Sequence, residues 1–342
     1  MKPIILIIFI ISSVTTYGQS TQKDSLLREV DEYVKTVNKA AEQFLNKKLS
    51  IAERIKAIEP YDIIYDKKQA EQFKNIVLDD KEQPEIRAMA LNKIYEFIQD
   101  DKLWSLALEW LSNPKTPKVL RDAALNWVAN VTLSTMEIPD VYQKMLEDPE
   151  PEFRLFAFTQ LITHGDARAQ QKLIEGLENP SSALLPAPTA IAVLSMSLKK
   201  EYYPALYKVL QQTKDEATRL EAIRALGFYK EARENLIAIS RSASEKEQFR
   251  EAALGALYAA DRDNIVEYVF PILSDKSASL RLQIIAIQMT IDIRQSITYR
   301  AKAKRADKYD QLIKKIATDR TNPLDLRQIA VKYIEYVRPN YY

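Results

Sequence analysis

The chain has 342 residues, and because 46% of them are hydrophobic it can bury a substantial core, which excludes an intrinsically disordered protein. Its formal net charge of +2, with 28% charged residues, lacks the large basic excess that is typical of nucleic-acid-binding proteins. The 5 glycines and 15 prolines favour helices joined by short turns, and the absence of cysteine excludes disulfides and thiol chemistry.

The first element in chain order is a predicted signal peptide over residues 1–18. Lys2 precedes the apolar run 4–11, and small and polar residues follow in 12–19, which is the order of a secretory signal peptide. The alternative, an uncleaved membrane anchor, is disfavoured because a spanning helix needs roughly 20 apolar residues. We therefore expect cleavage after Gly18 and export to the periplasm or the medium, with no transmembrane segment in the mature chain.

Residues 19–68 are predicted to form an N-terminal helical cap. Apolar residues recur at helical spacing over Asp24–Lys48, which predicts one long amphipathic helix. Ser50 and Glu53 then have the spacing of a capping box, in which each side chain satisfies the backbone N–H of the other residue. A short helix is expected to start there and to be followed by a loop.

A phrase of helical length recurs in the middle of the chain. It reads RLEAIRAL from Arg219, REAALGAL from Arg250 and RLQIIAIQ from Arg281, and its apolar positions share one face of a helix. With weaker copies, the starts are residues 54, 87, 121, 154, 187, 219, 250, 281 and 327, at intervals of 31 to 34 residues except for the last, of 46. Self-similarity at such a period predicts stacked repeats.

Each repeat contains two predicted helices. A first apolar segment, helix A, precedes the Arg phrase, which is helix B. A turn rich in Asp, Asn and Pro joins them, for example at Asn113-Pro114 and Asp148-Pro149. Because Asp and Asn are good N-caps and Pro is favoured in the first helical turn, the turn is expected to cap helix B. We expect about sixteen to eighteen helices, paired antiparallel, and no sheet.

The Asp/Asn-Pro turn followed by Arg-x-x-Ala-Leu/Ile-x-x-Leu resembles the HEAT repeat, in the short variety also found in phycobilisome lyase-like proteins. The resemblance covers roughly Gln69–Val337. It implies an all-α fold, a right-handed α-solenoid (α-α superhelix) of about eight to nine HEAT-like helical hairpins, placed here at residues 69–342. It also implies that the B helices line a concave side that holds another macromolecule, and it carries over no catalytic residues.

Two positions of helix B are interpreted as structural. The residue three places after the Arg is Ala in seven repeats, with Ile284 as the exception, and Ala allows helix axes to approach to the lower end of the ~8–10 Å range. The Arg is expected to bind the adjacent turn and its free carbonyl groups, so that it ties one repeat to the next. The alternative is a ladder of Arg side chains that binds an anion.

The positions one and five residues after the Arg are left for a partner, because both lie on one side of helix B. They are small, mixed and nearly neutral, which suits a protein or peptide better than a phosphate backbone. The candidate partner-binding residues at these positions are Asn92, Asn126, Thr159, Arg224 and Lys332.

Two irregularities interrupt the repeat. Residues 179–196 lack the Arg and contain three prolines, as a result either of sequence drift or of a loop that meets a partner. A basic insertion near residues 294–310 lengthens the last interval and is expected to begin helix A of the last repeat. It is interpreted either as a solvated basic helix or as a docking site for an acidic partner or an anionic lipid surface. The candidate residues in it are Arg300, Lys302, Lys304 and Arg305.

No motif for catalysis, metal binding or cofactor binding is found in the sequence. The single histidine, His164, has no cysteine or second histidine with which to share a metal, and no glycine-rich phosphate loop is present. We predict a non-enzymatic, exported scaffold that binds a protein or peptide and uses no cofactor. One alternative is a regulatory or assembly subunit of an envelope complex that docks through the insertion, and another is an enzyme resembling helical-repeat lyases or glycosylases.

Overall fold

The computed structural model describes residues 20–61, 64, 66–94, 100–135, 140–197, 200–294 and 307–337. Within these ranges the chain is all-helical and contains 18 α-helices and no strand. The predicted all-α fold is therefore confirmed for the described residues. Two compact units are present, residues 1–153 and 154–342.

The first unit contains the helices up to the start of α8. Its longest helix is α1, which follows the predicted amphipathic stretch closely. The bounds are α1 Ser20–Leu45, α2 Ile51–Ile58, α3 Lys67–Leu78, α4 Pro84–Leu91, α5 Asp101–Ser112, α6 Lys118–Thr135 and α7 Val141–Met145.

The second unit contains the remaining helices. Helix α8, Pro151–Thr163, starts in the first unit and ends in the second. The further bounds are α9 Ala167–Glu178, α10 Ala187–Leu194, α11 Tyr203–Gln212, α12 Glu216–Ala225, α13 Arg233–Arg241, α14 Glu247–Ala260, α15 Ile265–Ser274, α16 Leu280–Arg294, α17 Asp307–Thr318 and α18 Leu324–Val337.

From α3 onward, odd-numbered helices are the predicted A helices and even-numbered helices are the B helices. Helices α1 and α2 belong to the predicted N-terminal cap and take the same A and B places. Within each unit an A helix packs on the B helix that follows it, as in α5 with α6 and α13 with α14. Consecutive B helices also contact each other, and α10, α12, α14, α16 and α18 form one continuous row in the second unit. Neighbouring helical pairs of this kind are the packing expected of an α-helical repeat.

The turn acids do not all have the predicted role. Ser50 and Glu53 form the expected capping box at the start of α2. In the turns from A to B, however, Asp79 and Asp275 accept the backbone N–H two residues ahead of them, at 3.1 and 2.8 Å. An Asp directly after a helix is placed for this Asx turn, which orders the turn but does not cap helix B. Helix α4 has no side-chain cap hydrogen bond, whereas α16 is capped by Ser279, whose hydroxyl accepts the backbone N–H of Leu282 at 3.1 Å. The prediction that these residues cap helix B was wrong there, whereas Asp215 does cap α12.

The core confirms the predicted small position in helix B and corrects one register. Ala222 and Ala253 are 0% exposed, as expected where helix axes approach closely. In α16 the fully buried alanine is Ala286, and the predicted Ile284 is half-buried. The repeat in α16 is therefore anchored at Gln283 rather than at Arg281, because Leu282 and Ala286 fill the positions that face the neighbouring helices.

Several predictions fall outside the described residues. The signal peptide at residues 1–18 lies there, and so do residues 295–306 of the basic insertion, including Arg300, Lys302, Lys304 and Arg305. Among the residues that the structure describes, no helix has both the length and the apolar character needed to span a bilayer. The last A helix, α17, is described from Asp307 onward.

Candidate binding face of the second unit

The repeated Arg side chains bind the protein itself. Four of them donate a hydrogen bond from Nε to the carbonyl oxygen ten residues earlier, which belongs to the penultimate residue of the preceding A helix. Helix ends leave such carbonyl groups without intrahelical partners, so a side-chain donor is needed there. The donor–acceptor pairs are Arg54 with Phe44 at 2.7 Å, Arg87 with Val77 at 3.0 Å, Arg121 with Leu111 at 3.3 Å and Arg250 with Ser240 at 3.2 Å.

Three of the Arg side chains also bind a carboxylate in the next turn from A to B. We call this ion pair the arginine clamp. Arg121 and Asp148 are each 2% exposed at the side chain, and the Arg121 guanidinium stacks 3.8 Å from the Phe153 ring centre. The clamps are Arg54–Glu82, Arg121–Asp148 and Arg219–Glu245. The predicted role of the Arg row as a tie between repeats is confirmed, and these guanidinium groups are already engaged.

The structure places the predicted partner-binding residues on separate helices. In the first unit, Asn92 is the half-buried C-cap of α4 and Asn126 is exposed on α6. In the second unit, Thr159 is half-buried on α8, and Arg224 and Lys332 are exposed on α12 and α18. They do not form a cluster, because α10 lies between α8 and α12 in the chain, and α14 and α16 lie between α12 and α18.

A regular accessible face nevertheless runs along the B helices of the second unit. It consists of the residues one, five and nine places after each repeat anchor, with Gln283 as the anchor in α16. All of them are half-buried or exposed. This B face comprises Leu155, Thr159, Thr163, Pro188, Ala192, Met196, Leu220, Arg224, Phe228, Glu251, Gly255, Ala259, Ile284, Gln288, Asp292, Gln328, Lys332 and Tyr336.

Two large apolar side chains stand out on the B face. Met196 is 50% exposed and Phe228 is 58% exposed, and they occupy the same repeat position directly after α10 and α12. These two helices pack against each other, and packed helix axes lie ~8–10 Å apart. Elsewhere the same position carries Thr163, Ala259, Asp292 and, on α18, the exposed Tyr336. Adjacent exposed apolar side chains of this size mark an interaction site on many proteins.

The turn that carries Phe228 is held rigidly from both sides. A Cβ on Gly227 would lie 2.5 Å from the carbonyl oxygen of Ala256, so the turn rests directly on the backbone of α14. On the other side, Tyr229 contacts the rings of Tyr203 and Tyr207, with centroid distances of 5.4 and 5.8 Å. Burial raises the pKa of Tyr229, and the Glu231 charge acts in the same direction. Phe228 is therefore presented to solvent by a preorganised turn.

Next to Met196 and Phe228, the B face consists of small side chains, and its charged side chains form ion pairs. A Cβ on Gly255 would meet nothing within 4 Å, so the surface of α14 is open at that point. Glu251 on the same helix pairs with Arg281 at 2.7 Å, and Arg224 pairs with Glu221. Paired charges present little net field, and this suits an apolar or mixed partner surface better than a polyanion.

Sequence reasoning placed the B face correctly in part. Arg224 and Thr159 lie on it as predicted, but Ala88 and Leu282, which were assigned to the same periodic positions, are 3% and 0% exposed and belong to the core. Met196 and Phe228 were missed. The signal that could have found them is the next step of four residues along the same helix face, where these two repeats carry large apolar residues.

The described residues contain no group of three or more His, Cys, Asp or Glu side chains that could hold a metal ion. The Nδ1–H of His164 donates a hydrogen bond to the carbonyl oxygen of Gln160 at 2.8 Å, and the residue lies in an exposed turn. That turn includes Gly165, whose φ of 79° lies in the left-handed region that favours glycine.

Comparison of the chain with protein-family models, with curated proteins and with solved structures finds no match. The candidate site therefore rests on the geometry of the B face.

Proposed function

We propose that the protein is a non-enzymatic scaffold that binds an apolar segment of a protein or peptide on the B face of the second unit. The observation that carries this proposal is the exposure of Met196 and Phe228 at the same position of two packed repeats. Burying such side chains against a partner is favourable by roughly 25 cal/mol per Å² of apolar area. The other predictions belong to the same proposal: a HEAT-like right-handed solenoid, export to the periplasm or the medium, and no cofactor.

The shape of the site favours an extended or helical segment over a flat protein surface. Phe228 projects from a rigid turn, and the neighbouring surface at Ala192, Gly255 and Ala259 consists of small side chains. A partner side chain can therefore lie against α14 beside Phe228 without displacing any protein group. A preorganised site of this kind loses little conformational entropy on binding.

The proposal can be tested by selecting peptides from a random dodecapeptide library displayed on phage, with the purified protein as the target. We expect enrichment of peptides that contain adjacent apolar residues. Phe228→Ser and Gly255→Arg should each weaken binding of a synthetic selected peptide by about tenfold or more, since interface aromatics carry much of the binding energy. Phe228 is exposed and a side chain at residue 255 would enter open space, so the fold should be retained.

Tyr336→Ser is the matched control. Tyr336 is 48% exposed and occupies the same repeat position as Phe228, but on α18. The control should bind the peptide as the wild type does. Failure to enrich any peptide, or equal binding by wild type and Phe228→Ser, would refute the proposal.

A further inference from the structure

The turns from A to B form an edge of the second unit that is separate from the B face. A cavity of about 470 Å³ opens between the turn from α15 to α16 and the turn from α17 to α18. None of its lining residues belongs to the B face. Its volume falls within the ~300–1,000 Å³ that small-molecule sites occupy.

The cavity coincides with a missing arginine clamp. In the repeat register, Gln283 occupies the Arg position and Asn322 the acid position, and both line the cavity. The amide of Gln283 donates to the carbonyl of Ala278 at 2.9 Å, and that of Asn322 donates to the carbonyl of Ile316 at 3.1 Å. Each amide thus binds a backbone carbonyl five or six residues earlier in the chain, and the two side chains do not bind each other. No guanidinium lines the space between the two turns.

Apolar and polar surface line the cavity in about equal parts, and its rim is cationic. Leu280, Leu312 and Leu326 contribute apolar surface, and Lys276 and Lys315 stand on the rim. Leu280 is 37% exposed, which is unusual for a side chain this close to a helix–helix interface. A ligand with an apolar body would cover this surface.

One carboxylate, Asp319, also lies on the rim, but its own turn occupies it. It accepts hydrogen bonds from the backbone N–H and the hydroxyl of Thr321, at 3.0 and 2.7 Å. These bonds hold the pKa of Asp319 below its usual value, and the charges of Lys276 and Lys315 act on it in the same direction. Two cations therefore face one anion whose oxygen is already hydrogen-bonded, so the rim carries a positive excess.

We infer that this cavity binds a small amphipathic monoanion, with its apolar body against Leu280, Leu312 and Leu326 and its carboxylate between Lys276 and Lys315. A medium-chain fatty acid and the C-terminal residues of a peptide share this chemistry. The site is independent of the B face, so that binding at either one can fail without the other.

Isothermal titration calorimetry with sodium octanoate, a fatty acid, and with N-acetyl-leucyl-leucine, a peptide C-terminus, distinguishes these two sources of the carboxylate. Binding of either carboxylate supports the site and identifies its source. The matching neutral amides should bind at least tenfold more weakly, because they lack the charge that the lysines attract. Absence of binding by both carboxylates, or equal binding of acids and amides, overturns the inference.

Two sets of variants locate the binding. Lys276→Gln combined with Lys315→Gln should weaken carboxylate binding about tenfold, whereas Lys314→Gln, which removes an exposed lysine of the same helix that does not line the cavity, should leave it unchanged. Equal effects of the two sets would contradict the assignment.

Gln283→Arg with Asn322→Glu rebuilds an arginine clamp in the cavity. This protein should fold as the wild type does, with an unchanged circular dichroism spectrum and a melting temperature at least as high, and should lose carboxylate binding. A folded double variant that still binds octanoate with wild-type affinity would show that the ligand lies elsewhere.

Discussion

Two interfaces between consecutive repeats are built from the same positions but pack differently. One joins α6 to the turn before α8 in the first unit, and the other joins α16 to the turn before α18 in the second unit. After α6, Arg121 and Asp148 are each 2% exposed and seal the turn edge. After α16, the equivalent residues are Gln283 and Asn322, and a cavity of about 470 Å³ remains. The two interfaces differ in these two side chains, and the one without the ion pair contains the cavity.

The difference separates residues that hold the repeats together from residues that are available for binding. A buried ion pair is strongly destabilising to break, because one charge is left without a partner in a low-dielectric surrounding. Gln283 and Asn322 are neutral amides, so separating them leaves no buried charge without a partner. The space between them can therefore stay open. The following predictions test this difference in order of decreasing effect.

Arg121→Gln should have the largest effect, because it leaves Asp148 buried and unpaired. We expect the free energy of unfolding to fall by roughly 3–5 kcal/mol, measured from urea denaturation followed by circular dichroism. The double variant Arg121→Gln with Asp148→Asn copies the pair found after α16, and should be more stable than Arg121→Gln alone. If the single variant keeps wild-type stability, the clamp does not hold the repeats together.

Gly227 and Gly255 should respond in opposite directions to alanine. Gly227→Ala places a Cβ 2.5 Å from the carbonyl oxygen of Ala256 and should destabilise by roughly 1–3 kcal/mol. Gly255→Ala enters open space in the middle of α14 and should stabilise by about 0.5–1 kcal/mol, since alanine is the better helix former. Thermal unfolding of the two variants checks both signs, and equal shifts would mean that the turn of Gly227 is not packed on α14.

Ala278→Glu should complete a clamp that lacks its acid. Arg250 is 6% exposed and its Nη2 atom has no hydrogen-bond partner among the described residues. Residue 278 occupies the position of Glu82 and Glu245 in the register anchored at Gln283. A new charge-assisted bond should raise the free energy of unfolding by about 1 kcal/mol. In Arg250→Met the same substitution should bring no gain, and a gain there would show that the introduced carboxylate acts without Arg250.

The smallest effect is expected from the pH dependence of the Arg54–Glu82 clamp. Burial would raise the pKa of Glu82, but the hydrogen bonds from Arg54 and from the backbone N–H of Gln83, together with the charges of Arg54 and Lys47, hold that pKa below the usual 4.5. The stability from this pair is therefore fully present above pH 4.5 and is lost as the pH falls through the lowered pKa. The difference in melting temperature between wild type and Glu82→Gln should shrink on acidification, whereas exposed Glu85→Gln should show little difference at any pH.

The helical pairing could be predicted from the sequence because a buried Ala recurs at the same position of the B helices and an Arg precedes it in most repeats. The register of α16 could not, since Arg281 mimics the start of the phrase while Leu282 and Ala286 are the residues that fill the core. That error also concealed the cavity, because Gln283 is recognised as the missing Arg only in the corrected register. The prominence of Phe228 depends on how Gly227 contacts α14, a distance that no spacing in the sequence reveals.

The B face of the second unit is proposed to hold an apolar segment of a partner. Hydrogen exchange measured by mass spectrometry, with and without the tightest-binding selected peptide, tests this role most directly. We expect slower exchange in the turns that carry Met196 and Phe228 and along α14, with little change in the A helices. Slower exchange confined to the first unit or to the A helices, with these turns unaffected, would contradict the proposed role.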